Sequence, residues 1–369
     1  MKVLFIGGTG TISSTCSQLV VERGVDLYLL NRGQTSGRPI PPGATVLTGD
    51  IRDPASVQAV LGKREFDVVV DWVAYTPDHV ETDIALFHGR TGQYVFISTA
   101  ATYHKPVLSL PITESTPLHN PYWPYAQAKI ACEARLMCAY HDEGFPITIV
   151  RPSHTYDCTK LPLRGRWTIV DRMRKGLPVV VHGDGTSLWV LTHHRDFAKG
   201  FVGVLGRAQA LGEAYHITSD EVLTWDQIFR IVARAAGVPN PELVHVPSEL
   251  FNAFDPVLGE GLLGDKTHSV IFDNSKIKRL VPDFTATIPF DRGAEEIMAW
   301  FKADPARQIV DEAHNRLLDK IISRYRAIWP NIEPDPAATL QSIRERREQH
   351  PVSPDAPDST LLLREDRER

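Results

Sequence analysis

GGTGTISS, Gly7–Ser14, follows the apolar run Lys2–Ile6 and precedes a stretch of helical periodicity. In a dinucleotide-binding turn the first glycine permits the tight turn and the second lets the backbone approach the pyrophosphate. The third lets the helix pack closely on the strand. Amides at the helix N-terminus then hold the phosphates. Gly7 and Gly10 fill the first two places, and Ser13 stands where the third glycine would fall. Serine is small, so only helix–strand packing is touched, and the turn is read as competent for a dinucleotide.

The surroundings fit such a turn. Strand-like runs occur at 2–6, 26–30, 44–48, 67–73, 93–98 and 147–150, several of them near-continuous Val/Ile/Leu, the pattern of strands buried on both faces. Helical patterns fall between them at 11–23, 54–62, 78–88 and 124–143, with Gly24 and Gly144 as stops. Repeated βα units predict an α/β, doubly wound Rossmann-type parallel sheet. Beyond residue 151 Pro and Gly become frequent, and PVVVHGDGTSLWVLTHH reads as strands and loops. Helices are expected again at 224–236, 246–254, 291–302 and 306–328. The expected organisation is an NAD(P)-binding domain over 1–155, to which segments near 190–235 return. A smaller α+β substrate-binding domain covers mainly 156–305, and a C-terminal helix with a Pro- and charge-rich tail covers 306–369.

Composition narrows the function. The chain has 369 residues, 43% hydrophobic and 23% charged, enough for two intimate domains with a real core. A net charge of −5 argues against non-specific nucleic-acid binding, which needs a basic face. Cys16, Cys132, Cys138 and Cys158 show no CxxC spacing and read as reduced thiols of a cytoplasmic protein. No run approaches the ~18 apolar residues of a membrane span. The adjacent His193 and His194, on a strand, would face opposite ways and make a poor metal pair; no metal is expected.

The residues after the second strand bear on the nucleotide. LLNRG places Asn31 and Arg32 where an acid usually grips the ribose hydroxyls of NAD. Asn31 does not repel a 2′-phosphate, and Arg32 would pair with it or stack on adenine, which tilts the reading to NADP over NAD. Arg32 as a plain solvated charge is the alternative. Asp50 would accept from the adenine amine or act as a helix N-terminal carboxylate, although Asp53 before Pro54 fits the second role better.

NPYWPYAQAKIACE carries Tyr125 and Lys129, which share one face of a helix at i, i+4. An ammonium beside a phenol favours the phenolate. Such a tyrosine takes a proton from an alcohol as hydride leaves, or returns it. The second pair of this spacing, Tyr156 and Lys160 in YDCTK, lies beyond the sixth strand with Pro162 close behind, and is read as a decoy. VFISTAATY offers Ser98 and Thr99 as a hydroxyl partner; on a continuing strand they point to opposite faces, so only one faces the cleft.

In order and at these spacings, GGTGTIS, GDIRD, VFISTAATY, PITESTPL, PYWPYAQAKIACE, RPSHTY, VVHGDG, THHRDFA and FDNSKIKRL resemble the extended short-chain dehydrogenase/reductase family, in its NAD-dependent epimerase/dehydratase branch. The resemblance spans roughly 1–303. It implies Thr99 as the catalytic hydroxyl, Tyr125 as acid/base and Lys129 on the nicotinamide ribose. The segment Pro152–His154 would border nicotinamide and substrate, and a homodimer would form through helices near 78–90 and 125–140. The cofactor set is then Gly7, Thr9, Gly10, Thr11 and Ile12 at the turn, with Asn31, Arg32, Asp50, Ile51 and Ala74 at later strand ends. Tyr125, Lys129 and Pro152 complete it. Ser98, Thr99, Trp123, His154 and Trp189 are the substrate candidates.

Three departures from the family pattern shape the functional expectation. Ala100 and Ala101 stand where the dehydratases carry an acidic pair, which disfavours dehydration. Trp189 takes the place of an arginine that grips substrate pyrophosphate in nucleotide-sugar epimerases, and either stacks on a sugar ring or packs in the core. His154 replaces their asparagine. Arg164 and Arg166 would contact an anionic substrate or sit in a solvated loop. The expected function is an NAD(P)-dependent oxidoreductase acting on a hydroxyl or ketone of a sugar-like substrate. The alternatives are a UDP-sugar-type 4-epimerase with tightly bound NAD, gripping phosphate through Arg164 or Arg292, and a non-catalytic NAD(P)-sensing or RNA-associated relative.

Overall fold

The computed structural model describes residues 1–33, 38–328, 341 and 344–345. Residues Met1–Ile322 form one compact unit. The first half contains β1 (Lys2–Ile6), α1 (Ser13–Glu22), β2 (Asp26–Asn31), β3 (Thr45–Thr48), α2 (Pro54–Leu61), β4 (Val68–Asp71), α3 (Pro77–Phe87), β5 (Tyr94–Ile97), α4 (Pro124–Glu143) and β6 (Ile147–Pro152). The second half follows as β7 (His154–Tyr156), α5 (Trp167–Arg174), β8 (Val179–His182), β9 (Leu188–Trp189), β10 (Leu191–His193), α6 (His194–Val204), β11 (Glu213–Ile217), β12 (Leu223–Thr224), α7 (Trp225–Ala235) and β13 (Leu243–Val246). Helices α8 (Ser248–Phe254), α9 (Pro256–Gly261), α10 (Ser275–Leu280), α11 (Phe290–Ala303) and α12 (Glu312–Ile328) complete it, with a π-turn at Leu262–Lys266 after α9.

Seven strands make one parallel sheet in the order β11-β6-β5-β4-β1-β2-β3. Alternate residues of each strand enter different cores. Val3, Phe5, Leu27, Leu29, Val68 and Val70 pack with α1, α6 and α10, while Leu4, Ile6, Leu30, Val69, Tyr94 and Phe96 pack with α2, α3 and α4. Both faces are covered by helices, which explains why these strands carry unbroken apolar runs. The order reverses at β1, so the turns after β1 and β4 border the crevice where ligands bind in such sheets.

Helix ends follow the local signals. Asp53 caps α2 by accepting from the Ser56 amide at 3.3 Å, with Pro54 at the first position. Pro124 opens α4, and Gly144 closes it in the left-handed region at φ 72°. Helix α1 starts at Ser13 and not at residue 11, because Thr11 and Ile12 belong to the glycine turn.

The second half holds more helix than expected. The strand-and-loop reading is right for β8, β9 and β10, but α5, α6, α9 and α10 were not anticipated. Both α6 and β11 return to the sheet, β11 as its edge strand beside β6. The first turns of α12 belong to the compact unit. Of the second unit, Ser323–Arg369, the described part beyond α12 is Gln341, Arg344 and Glu345, all helical and exposed. The remaining readings of the tail lie outside the described residues. Among the described residues no helix is long and apolar enough to cross a membrane.

Candidate active site

The glycine turn is built for close approach. Gly7 sits at φ +89°, and a Cβ there would meet Val73 Cγ1 at 3.0 Å. A Cβ on Gly8 would meet Leu29 Cδ2 at 2.5 Å. Ser13 takes up a role of its own, since its hydroxyl accepts from the Gly10 amide at 2.8 Å and ties the turn to the first residue of α1. No side chain caps α1 at its N-cap Ile12, and the Ser14 amide donates to the Gly10 carbonyl at 3.1 Å, so the turn and the helix start are held together by backbone with no side chain over the helix end. The turn, with Thr9, Thr11 and Ile12, therefore fits a dinucleotide phosphate.

Other strand ends surround it. Ala74 is buried after β4, Ile51 is buried after β3, and Pro152 ends β6. Asn31 ends β2 and Arg32 is exposed beside it. Asp50 lies two residues past β3 and accepts from the Arg52 amide at 3.0 Å, so it braces its own turn. Sequence reasoning passed over Arg38. Its guanidinium pairs with buried Asp157, donates to Thr159 Oγ1 at 2.6 Å and reaches Thr11 Oγ1 at 3.4 Å, joining the glycine turn to the segment after β7.

Thr99 and Tyr125 face one pocket of about 320 Å³, with Trp123, His154 and Trp189 on the same walls. Ser98 does not reach it. The residue is buried, and its hydroxyl donates to Glu133, which holds the Arg151 guanidinium at 2.6 Å. The strand alternation that sends Thr99 to the pocket sends Ser98 into this polar core, so Ser98 is removed from the substrate set. Lys160, read as part of a decoy, lines the pocket, although its partner Tyr156 is in a strand and packs on Phe290 and His193. Asp265 and Lys266, from the π-turn, complete the opposite wall and were not anticipated.

The Tyr125–Lys129 pair departs from expectation in its electrostatics. Lys129 is buried, with Nζ donating to the carbonyls of Ala74 at 2.6 Å and Ile97 at 2.7 Å. It stands 6.0 Å from the Tyr125 ring centroid. Burial lowers the lysine to about 8. Burial likewise pushes the Tyr125 phenol up to about 12, against the pull of its hydrogen bond with Thr99. In the protein alone the phenol is therefore protonated, and the lowering expected from the neighbouring lysine is absent. Tyr75 also approaches this group, its ring 4.9 Å from Lys129 Nζ.

His193 and His194 are not on opposite faces of a strand. β10 ends at His193 and α6 begins at His194, which brings the ring centroids within 4.4 Å. Their ring nitrogens and the Glu296 carboxylate lie within 4.8 Å of one another. His193 Nδ1 accepts from the Arg195 amide at 3.3 Å, which caps α6 and places the neutral ring's proton on Nε2, 3.1 Å from Glu296. Arg195 also pairs with Glu296. His193 and Glu296 are thus engaged as a helix cap and ion pair, and His194 Nδ1 is hydrogen-bonded with Thr15 Oγ1 at 2.5 Å.

Known proteins resemble the chain over this same region. Residues 3–218 match the model of the NAD dependent epimerase/dehydratase family. The chloroplast stem-loop binding protein of 41 kDa b of Arabidopsis thaliana is 27% identical over 263 residues, 68% of this chain and 67% of that one. A UDP-glucose 4-epimerase of Lactobacillus helveticus is 34% identical over 169 residues, 41% of this chain and 51% of its own length. A dTDP-glucose 4,6-dehydratase of Bacillus anthracis, solved in complex with NAD, superposes with a TM-score of 0.67 at 19% identity, covering 83% of this chain and 98% of its own. On the glycine turn, the doubly wound sheet and the match across more than half its length, the chain belongs to the NAD-dependent epimerase/dehydratase family.

Proposed function

We propose that the protein is an NAD(P)-dependent oxidoreductase acting on a secondary alcohol or ketone of a sugar-like substrate. The observation that carries this reading is the convergence of Thr99 and Tyr125 on one pocket, with Lys129 buried behind them. The bound dinucleotide would supply hydride transfer. Tyr125 gives a proton to the substrate oxygen during reduction and takes it back in the reverse direction. Thr99 orients that oxygen, and Lys129 fixes the helix face through the Ala74 and Ile97 carbonyls. A phenol that burial raises to about 12 suits the proton-donating direction. Replacing Tyr125 by phenylalanine tests the reading, which fails if turnover survives.

Similarity to a UDP-glucose 4-epimerase favours a second reading, in which hydride returns to the other face of the same sugar. Denaturing the fresh protein and identifying released nucleotide separates the two. Stoichiometric NAD supports internal recycling by an epimerase; an empty protein that then takes up NADPH in preference to NADH supports exchange at each turnover and a role for Arg32. Dehydration is disfavoured only by Ala100 and Ala101, and the likeness to a dehydratase lends that exclusion no support. The name of the Arabidopsis relative raises nucleic-acid binding, against which the net charge of −5 argues. Dimerisation through α3 and α4 remains part of the proposal, as does a cytoplasmic setting for the four free thiols.

A further inference from the structure

A second chamber of about 260 Å³ adjoins the catalytic pocket and shares two of its walls, Trp123 and Lys266. It lies between α5, α7, α8 and the α9–π-turn segment. Its lining is apolar: Leu163, Ile169, Val180, Phe229, Phe251 and Leu262 are all buried there. Two of the polar groups on its walls are turned to the protein. His182 Nε2 and Trp225 Nε1 both bond the Lys266 carbonyl, at 3.1 Å each. Burial lowers His182 to about 4 and also lowers His314, so both rings are neutral near pH 7.

The wall that the two chambers share is aromatic. Lys266 Nζ stands 5.9 Å from the ring centroids of both Trp123 and Trp189, and 3.6 Å from Asp265 Oδ2. Trp189 in turn packs on Trp225 at 5.3 Å. The lysine charge is thus spread over two indole faces and matched by a carboxylate. The other cation of the lining, Arg164, is exposed. A diphosphate needs several converging charge-assisted donors; this chamber offers the exposed Arg164 guanidinium, the Lys266 ammonium already matched by Asp265, and apolar walls. Together the two chambers have the size of a site for a two-part small molecule, in the range of about 300–1,000 Å³.

We propose that the second chamber takes an apolar aryl or alkyl group carried by the sugar-like substrate, so that the protein acts on a glycoside-type molecule and not on a nucleoside-diphosphate sugar. This rests on the reading that the catalytic pocket holds the sugar-like ring.

The test is calorimetric titration of the full-length protein, saturated with NAD⁺, against matched phenyl and methyl hexosides and UDP-glucose. The expected result is at least tenfold tighter binding of one phenyl hexoside than of its methyl partner, with UDP-glucose no tighter than the methyl compound. Gly261 lines the chamber in helical conformation at φ −71°, and a Cβ there meets nothing within 4 Å. Gly261→Phe should fill the space and abolish the phenyl advantage. Equal affinities, absent binding, or tighter binding of UDP-glucose overturns the inference whatever the variant does. A phenyl preference in a protein whose Tyr125→Phe variant keeps full turnover would remove the catalytic reading and leave the chamber's; an inactive Tyr125→Phe with no phenyl preference does the reverse.

Discussion

Trp189 Nε1 donates to His154 Nδ1 across 3.1 Å, so the indole sets the tautomer of a histidine that lines the catalytic pocket. Burial pushes His154 well below its ordinary value, and the ring is neutral at pH 7. With Nδ1 accepting, the proton sits on Nε2, which makes that nitrogen a donor. Of the two readings of Trp189, core packing has an observed contact, the Trp225 ring at 5.3 Å; stacking on a sugar ring stays part of the proposal. Trp189→Phe should release the tautomer, visible in the imidazole ¹⁵N shifts. It should also raise KM by roughly 2–12-fold, the equivalent of about 0.5–1.5 kcal/mol for one hydrogen bond.

Tyr125→Phe removes the proton donor and little else, since the ring still packs against Trp123 at 4.9 Å. The expected fall in kcat is about 10²–10⁴-fold, with an unchanged circular dichroism spectrum. Thr99→Ala should lower kcat less.

The pH behaviour of Lys129 has a definite sign. Its pKa in the fold, about 8, lies below the 10.5 of a free lysine. Between those values the unfolded chain binds a proton that the folded one has released, so the contribution of this group to stability rises with pH across that window. The wild type should gain urea resistance relative to Lys129→Met between pH 7.5 and pH 10. A flat difference would mean the ammonium is not desolvated. For Tyr125 the ultraviolet difference spectrum against Tyr125→Phe should show no ionisation of this phenol at pH 10.

Ser98 and Thr99 should separate stability from chemistry. Ser98→Ala deletes the hydroxyl bonded to Glu133 and should cost about 1 kcal/mol of stability with kcat unchanged. Glu133→Ala strands the buried Arg151 guanidinium and should cost about 3–5 kcal/mol, read as a lower midpoint of chemical unfolding.

The sheet was legible because its strands are buried on both faces and its helices end at Pro and Gly. Tyr125 and Lys129 were legible because helix α4 makes their spacing a shared face. The second half was harder for a physical reason. Helix α6 follows β10 without a loop, so Trp189–His194 reads as one extended run and the switch at His193 leaves no Gly or Pro to mark it. The wall from Asp265 and Lys266 lies in a π-turn with no motif of its own. Lys160 entered the pocket from a loop, where helical spacing says nothing. Arg38 meets Asp157 at a sequence separation that no local pattern can bridge.

Arg172, on α5, is fully buried and is held from the far end of the compact unit: it donates to Asn315 Oδ1 at 2.6 Å and to Asp319 at 2.7 Å. Nearby, the His314 ring fills the space that a side chain at Gly165 would need, with that glycine at φ +87°. The start of α12 is therefore a keystone for the apolar chamber, whose lining includes His314 and Leu318. A chain ended before residue 312 would keep every strand of the seven-stranded sheet and lose this closure. Cofactor binding should survive such a truncation while ligand selectivity collapses, so a shortened protein that still takes up dinucleotide is a poor witness to what the whole one recognises.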